Sequence, residues 1–402
     1  MEQLNVPFSF QALLVSILCC YVLNKLVRIY LAAHQRRQNA RQLECKAAPS
    51  YPHLDPILGL DAFYSAMRAV ARGHILDEFE DRFKRTCGGV DTFEIKVFGT
   101  KEIHTMEPEN VRTVLSLKSK VYQHSAARKG AFACFGHGIL ASDGKEWEIS
   151  RAMLRPSFHR SEIRNLSALE EHVVNLIACL PKNGQVVDLQ PLFLRLTNDT
   201  IFEALLGQST YTLLGDNTDP RNTQMFEAVE YTAYQISIRL RMGRLATILP
   251  DRKFSEALAF VHKYVGDYIS RALASHEDEK SDRYLFLKEM VKVNPNPNRV
   301  HSELLHTLSA GRETTAAVLS VLFYTIPRYP GVLQKLRNEI SVNIGNGLPT
   351  YENMRNLKYL KWTINESKYY SYIDDSSHLS NTHLKSDALM ACHTYQHSRR
   401  CS

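Results

Sequence analysis

Glu313 and Thr314 stand side by side in Ala310-Gly311-Arg312-Glu313-Thr314-Thr315, within an otherwise apolar stretch. A carboxyl group beside a hydroxyl is a combination suited to moving protons, the acid exchanging one while the alcohol holds a hydrogen-bonded partner. The setting makes the pair costly. Arg299 to Thr325 is expected to form one helix, preceded by the breakers Pro295 and Pro297 and stopped near Pro327. Leu304, Leu305, Leu308, Ala316, Leu319 and Leu322 keep a helical apolar spacing along it. Glycine costs about 1 kcal/mol against alanine inside a helix, and a threonine hydroxyl can bond back to a carbonyl one turn earlier. Sequences break such local rules at functional sites. A surface acid beside a tolerated Gly-Thr kink accounts for the same residues.

The elements that must position this cluster follow from periodicity and breakers. Phe93, Ile95 and Val97 alternate within Thr92 to Phe98 as in a half-buried strand, and Gly99-Thr100 turns the chain toward Ile103 and Thr105, giving a hairpin. Pro108 suits the first turn of the next helix. Helical patterns then dominate: Glu162 to Leu180, Leu189 to Leu206, Thr223 to Leu240, Phe254 to Ser275, the central helix, and Val332 to Ile340. The expected fold is mostly α with a small β-rich N-terminal lobe. It lacks the regular strand–helix alternation of a doubly wound sheet.

Phe8 to Leu23 is almost free of charge over 16 residues, about 24 Å of helix at roughly 1.5 Å per residue. A hydrocarbon core is about 30 Å thick, so the helix is expected to continue to Leu31, with Lys25 and Arg28 snorkelling to the interface. Met1 to Pro7 carries Glu2 and no basic residue, unlike a cleavable signal. The basic cluster after the span implies a retained single-pass transmembrane anchor with the body in the cytosol. The expected organisation is an anchor over 1–31, a basic linker over 32–48 and one domain from residue 49. Cytosolic placement would make the glycosylation patterns at Asn165 and Asn198 chance matches. Much of the net charge of +7 is local, with Lys25, Arg28, Arg36, Arg37, Arg41 and Lys46 opposed only by Glu44, so no nucleic-acid partner is expected. Eight scattered cysteines with no CxxC pair suit a reducing compartment.

Three further motifs fall in order: Trp147-Glu148-Ile149-Ser150-Arg151 after Gly138 to Gly144, then Arg155-Pro156-Ser157-Phe158, and Glu366 closing Leu357 to Glu366. With the central hexapeptide they resemble the microsomal cytochromes P450, in particular the fungal branch that hydroxylates alkanes and fatty acids. The resemblance covers about Cys45 to Ser367 and implies a haem b cofactor. It also implies electrons from an NADPH-dependent flavin reductase and a lipophilic substrate at the endoplasmic reticulum membrane. Trp147 and Arg151 match the pair that addresses a haem propionate. Four residues apart they share a helix face, so an indole and a guanidinium could converge on one carboxylate. Ala310 and Gly311 match the small residues that let the central helix lie over the haem, and Glu313 and Thr314 match the acid–alcohol proton relay. Substrate access would involve Val121 to Leu140 and Phe226 to Pro250, with Phe132, Phe135, Tyr231, Tyr234, Leu245, Ile248 and Leu249 either lining a mouth or packing in the core.

The resemblance stops after Ser367. The family has Glu-x-x-Arg where this chain has Glu366 followed by Tyr369, so Glu366, if buried and charged, would lack its partners at about 3 to 5 kcal/mol. Nothing in Lys368 to Ser402 matches the family's cysteine loop, so the axial metal ligand is absent from the sequence. Residues 49–367 are therefore expected to form a partial domain, followed by a disordered tail over 368–402 that resembles a shifted reading frame or a read-through intron. Cys392, His393, His397 and Cys401 match no common zinc-finger spacing. The alternative to a monooxygenase is thus a non-catalytic, membrane-anchored remnant. The expected outcome for the 402-residue chain is no reduced carbon monoxide spectrum of thiolate-ligated haem, and absorption spectroscopy of the purified protein checks it.

Overall fold

The computed structural model describes residues 8–42, 47–86, 91–156, 166–243, 251–274 and 285–373. Helix α1 (Phe8–Gln42) comes first. Within it Val15–Gln42 is long and apolar enough to cross a membrane, with a mean hydropathy of 1.6. The helix runs past the expected end of the anchor, so Arg36, Arg37 and Arg41 of the basic linker continue α1.

The small lobe follows. Helices α2 (Leu60–Ala71) and α3 (Ile75–Arg85) precede an antiparallel hairpin of β1 (Thr92–Val97) and β2 (Thr100–Thr105), with Phe93 opposite His104 and Ile95 opposite Glu102. Phe93 and Ile95 are fully buried against Tyr51, Ala62 and Phe83, as the alternation required. The turn takes positive φ at both central residues, Phe98 at 49° and Gly99 at 71°. That is the turn whose twist matches two-residue hairpins. Among the described residues the β-rich lobe reduces to these two strands and a single bridge from Ser50 to Glu94.

The helical body is started and stopped by local chemistry. Pro108 opens α4 (Pro108–Arg112), followed by a π turn, Thr113–Leu117. The Ser125 side chain caps α5 (Ala126–Phe132), and α6 (Gly144–Leu154) carries the Trp147 motif. Beyond it lie α7 (Ser167–Ala178) and α8 (Leu189–Leu206), the latter capped by Asp188 and ended by Gly207 at φ 69°. Asp219 and Pro220 start α9 (Pro220–Met242), which lies beside α10 (Arg252–Ala274). After α11 (Leu285–Val293), the Asn296 carboxamide accepts the Asn298 and Arg299 amides at the head of α12 (Pro297–Thr325). This central helix runs without a break through the Gly311 and threonine cluster. It packs on α8, α10 and α11, and their side chains join those of α5, α6 and α9 in one core around Leu304, Leu305, Phe202, Val265 and Met290.

The chain then forms α13 (Pro330–Asn343), α14 (Tyr351–Asn356) and α15 (Lys358–Ile373). Glu339 on α13 accepts the Tyr359 and Leu360 amides at 2.7 and 2.9 Å, satisfying two free donors at the head of α15. Because α15 reaches Ile373, the expected tail begins helically. The rest of the tail, including the Cys392 to Cys401 group, lies outside the described residues.

Asp199 on α8 anchors the following loop. Its carboxylate accepts the Thr210 and Thr212 hydroxyls and the Thr212 and Leu213 amides, between 2.6 and 3.1 Å, and is fully buried. Asp199→Ala strands those donors, and an expected loss of about 3 kcal/mol is checked by urea unfolding.

Candidate functional site

The head of α12 and the loop before α6 are locked together by polar groups on consecutive turns. Glu303 accepts the Ile139 amide at 3.0 Å, and His306 Nδ1 accepts the Leu140 amide at 3.2 Å. His306 Nε2 then donates to the Gly136 carbonyl at 3.2 Å, which fixes a neutral tautomer. Burial holds the His306 imidazolium down, to about 4, and pushes the Glu303 carboxyl above its ordinary range. Gly138 is required here, since a Cβ would lie 2.4 Å from the imidazole ring. Arg299 completes the lock: its guanidinium pairs with Glu146 at 2.8 Å and donates to Ser150 Oγ at 2.6 Å, tying α6 to α12.

On α6 the Arg151 guanidinium lies 5.3 Å from the Trp147 ring centroid. The stacking is a cation–π contact, so the pair shares one helix face. Arg151 is exposed and has no acidic partner among the described residues. No hydrogen bond or ion pair joins Trp147 or Arg151 to the Ala310–Thr314 cluster among those residues.

The cluster itself divides between two sides of α12. Ala310 is exposed, and Thr314 Oγ1 donates to the Ala310 carbonyl at 2.8 Å, leaving its lone pairs free to accept. Gly311 faces the other way. A Cβ there would meet Ile201 Cδ1 at 2.8 Å, so the missing side chain serves the contact with α8. Ala310 and Gly311, expected from the resemblance to lie over a haem, thus present different sides of α12. The physical reason is helical geometry, which turns neighbouring residues by about 100°.

Arg312 is the residue that the sequence concealed. It is 1% exposed, pairs with Glu313 through Nη1, and sits 4.6 Å over the Phe226 ring. Phe226 receives Arg195 as well, at 5.2 Å. The Glu313 side chain keeps only 13% exposure. Desolvation therefore pushes its carboxyl above the ordinary value of 4.5, with Arg312 opposing and Glu230 reinforcing the shift. Glu313 borders a cavity of about 20 Å³, with Ser309 and Thr232 as its other polar walls and Phe135, Met225 and Leu305 among the apolar ones.

Of the aromatic residues expected to line a mouth, Phe135 borders this cavity, while Phe132 packs against the core. Tyr231 donates to Asp251 at 3.3 Å. Leu245, Ile248 and Leu249 lie outside the described residues. Glu366 is exposed on α15, so the cost expected for a buried, unpaired carboxylate does not arise.

Cys134 differs from a poised thiolate. Burial pushes the Cys134 thiol up to about 12, and it donates to the Ala131 carbonyl at 3.3 Å. Cys179 donates to the Leu213 carbonyl, and Cys19 and Cys20 belong to α1.

Comparison with known proteins puts these helices in context. The cytochrome P450 family profile matches residues 62–368. The cytochrome P450 monooxygenase himC of Aspergillus japonicus is 34% identical over 85% of this chain and 63% of its own length. The cytochrome P450 monooxygenase fsdH of Fusarium heterosporum is 32% identical over 83% of this chain and 60% of its own. Cytochrome P450 52A5 of Candida maltosa is 33% identical over 80% and 64%. The chain thus spans somewhat under two thirds of the length of these relatives. The match runs from α2 into α15, through both the Trp147 motif and the Glu313 cluster, and on that ground the chain belongs to the cytochrome P450 family.

Proposed function

We propose that this chain carries the oxygen-activating part of a membrane-anchored haem-thiolate monooxygenase that hydroxylates a fatty acid, an alkane or a related lipophilic metabolite. Dioxygen and electrons from an NADPH-dependent flavin reductase complete the reaction. A single α1 span at the endoplasmic reticulum, with the body in the cytosol, keeps the protein beside that reductase and a membrane-dissolved substrate. The relative named cytochrome P450 52A5 supports the family chemistry, and the apolar α1 supports the anchor.

The observation that carries the reading is the adjacency of a desolvated acid and an accepting hydroxyl on one buried helix. Burial makes Glu313 hold its proton to higher pH than an exposed carboxyl would, which suits it to proton donation. Thr314 has committed its hydroxyl proton to Ala310 and accepts on the open side. The donor chemistry of Arg151 and Trp147 fits a haem propionate: an exposed guanidinium without an acidic partner, stacked on an indole N–H donor. Haem, when bound, supplies the redox chemistry of oxygen insertion. The chain's own residues bind its carboxylate edge, hold a proton at Glu313 and keep bulk water from that proton.

Two outcomes test the relay. In haem-loaded protein, Thr314→Ala is expected to uncouple oxygen consumption from product, measured as the ratio of the two; full coupling removes Thr314 from the relay. The second test needs no cofactor. A carboxyl whose folded pKa is raised binds more protons folded than unfolded, so stability falls as pH rises from about 4.5 through the raised value. Glu313→Gln is expected to flatten that fall, and urea midpoints across pH measure it.

A further inference from the structure

Threonines along these helices commonly satisfy themselves. Thr197, Thr200, Thr307, Thr314, Thr325 and Thr363 each donate to the carbonyl four residues earlier, at 2.7 to 3.0 Å. Thr232, in the middle of α9, does otherwise. It is 1% exposed, and its hydroxyl has no hydrogen-bond partner among the described residues. A buried hydroxyl without a partner is costly, which makes an unmet one a pointer to something that meets it.

The Thr232 side chain borders the same cavity as Glu313 and Ser309. Glu313 Oε1 is engaged by Arg312, and Oε2 accepts from no described residue. The cavity volume of about 20 Å³ exceeds the roughly 10–15 Å³ that one water needs. Two or more polar partners are the other requirement for a buried water, and the walls provide the Thr232 hydroxyl, the Glu313 carboxyl and the Ser309 hydroxyl. An apolar occupant of this size would leave the Thr232 hydroxyl unpaired.

We propose that this cavity is a built water site, with one ordered water hydrogen-bonded between Thr232 Oγ1 and the Glu313 carboxyl. Thr232 is then a positioning residue: it acts through the water to set how Glu313 points and how readily its proton exchanges. Only the catalytic consequence rests on the proton-donor reading of Glu313; the water site stands without it.

The test is infrared spectroscopy of the full chain at a pH where Glu313 is protonated. Its carbonyl stretch is assigned by the band lost in Glu313→Gln. Thr232→Val keeps the shape and removes the hydroxyl, and is expected to shift that band to the higher frequency of an unbonded carboxyl and to slow its exchange in deuterated water. Thr232→Ser is expected to keep both as in the parent protein. An unchanged band and exchange in Thr232→Val overturn the proposal. So does a higher Tm in that variant, because deleting a dry, unpaired hydroxyl stabilises a core whereas deleting a hydrated one does not. If the band shifts while Thr314→Ala stays fully coupled, the water site holds and the relay reading falls.

Discussion

Desolvation of polar groups on α12 is the constraint that arranges everything around that helix. Glu303, His306 and Arg312 lie on a helix otherwise buried in aliphatic side chains, and each is nearly or fully inaccessible to water. Burying such groups is unfavourable unless each finds a partner. The partners it finds are structural elements: two loop amides and a carbonyl for Glu303 and His306, and an aromatic ring and an adjacent carboxylate for Arg312. The loop before α6 therefore has one register on α12, and α6 with Trp147 and Arg151 follows it. The polar residues of the core are thus its positioning system as well as its chemistry.

The same constraint divides the two faces of the acid–alcohol cluster. Glu313 turns inward and loses solvent, while Thr314 and Ala310 stay on the open side. Between them Gly311 faces α8, where a Cβ would meet Ile201 at 2.8 Å.

Much of this was legible in the sequence because it depends on neighbours along the chain. The Phe93 and Ile95 alternation gave the hairpin, α8 spans the expected Leu189 to Leu206, and α12 begins at Pro297, two residues ahead of the expected Arg299. Helices α2, α3 and α11 have no separate expectation: α2 and α3 meet at a short turn, and α11 is short, Leu285–Val293. Within the site, residue types pointed to Glu313 and Thr314, but their opposite orientations are a matter of helical phase against α8 and α9. The burial of Arg312, the unmet Thr232 hydroxyl and the exposure of Glu366 depend on partners distant in sequence. A charged letter inside an apolar helix was the available signal for Arg312, and its neighbour Glu313 drew attention away from it.

One buried amide limits how this chain can be modified. Asn198 fits a glycosylation acceptor pattern, yet it is fully enclosed and its Nδ2, the atom a sugar would occupy, donates to Thr210 Oγ1 at 2.8 Å. The next residue, Asp199, holds the loop that closes over it. Oligosaccharide transfer acts on unfolded chain, ahead of burial, and a bulky glycan cannot enter a packed interior. The packing of α8 therefore requires Asn198 to stay unmodified, and a glycan there would turn a silent tripeptide into a folding trap.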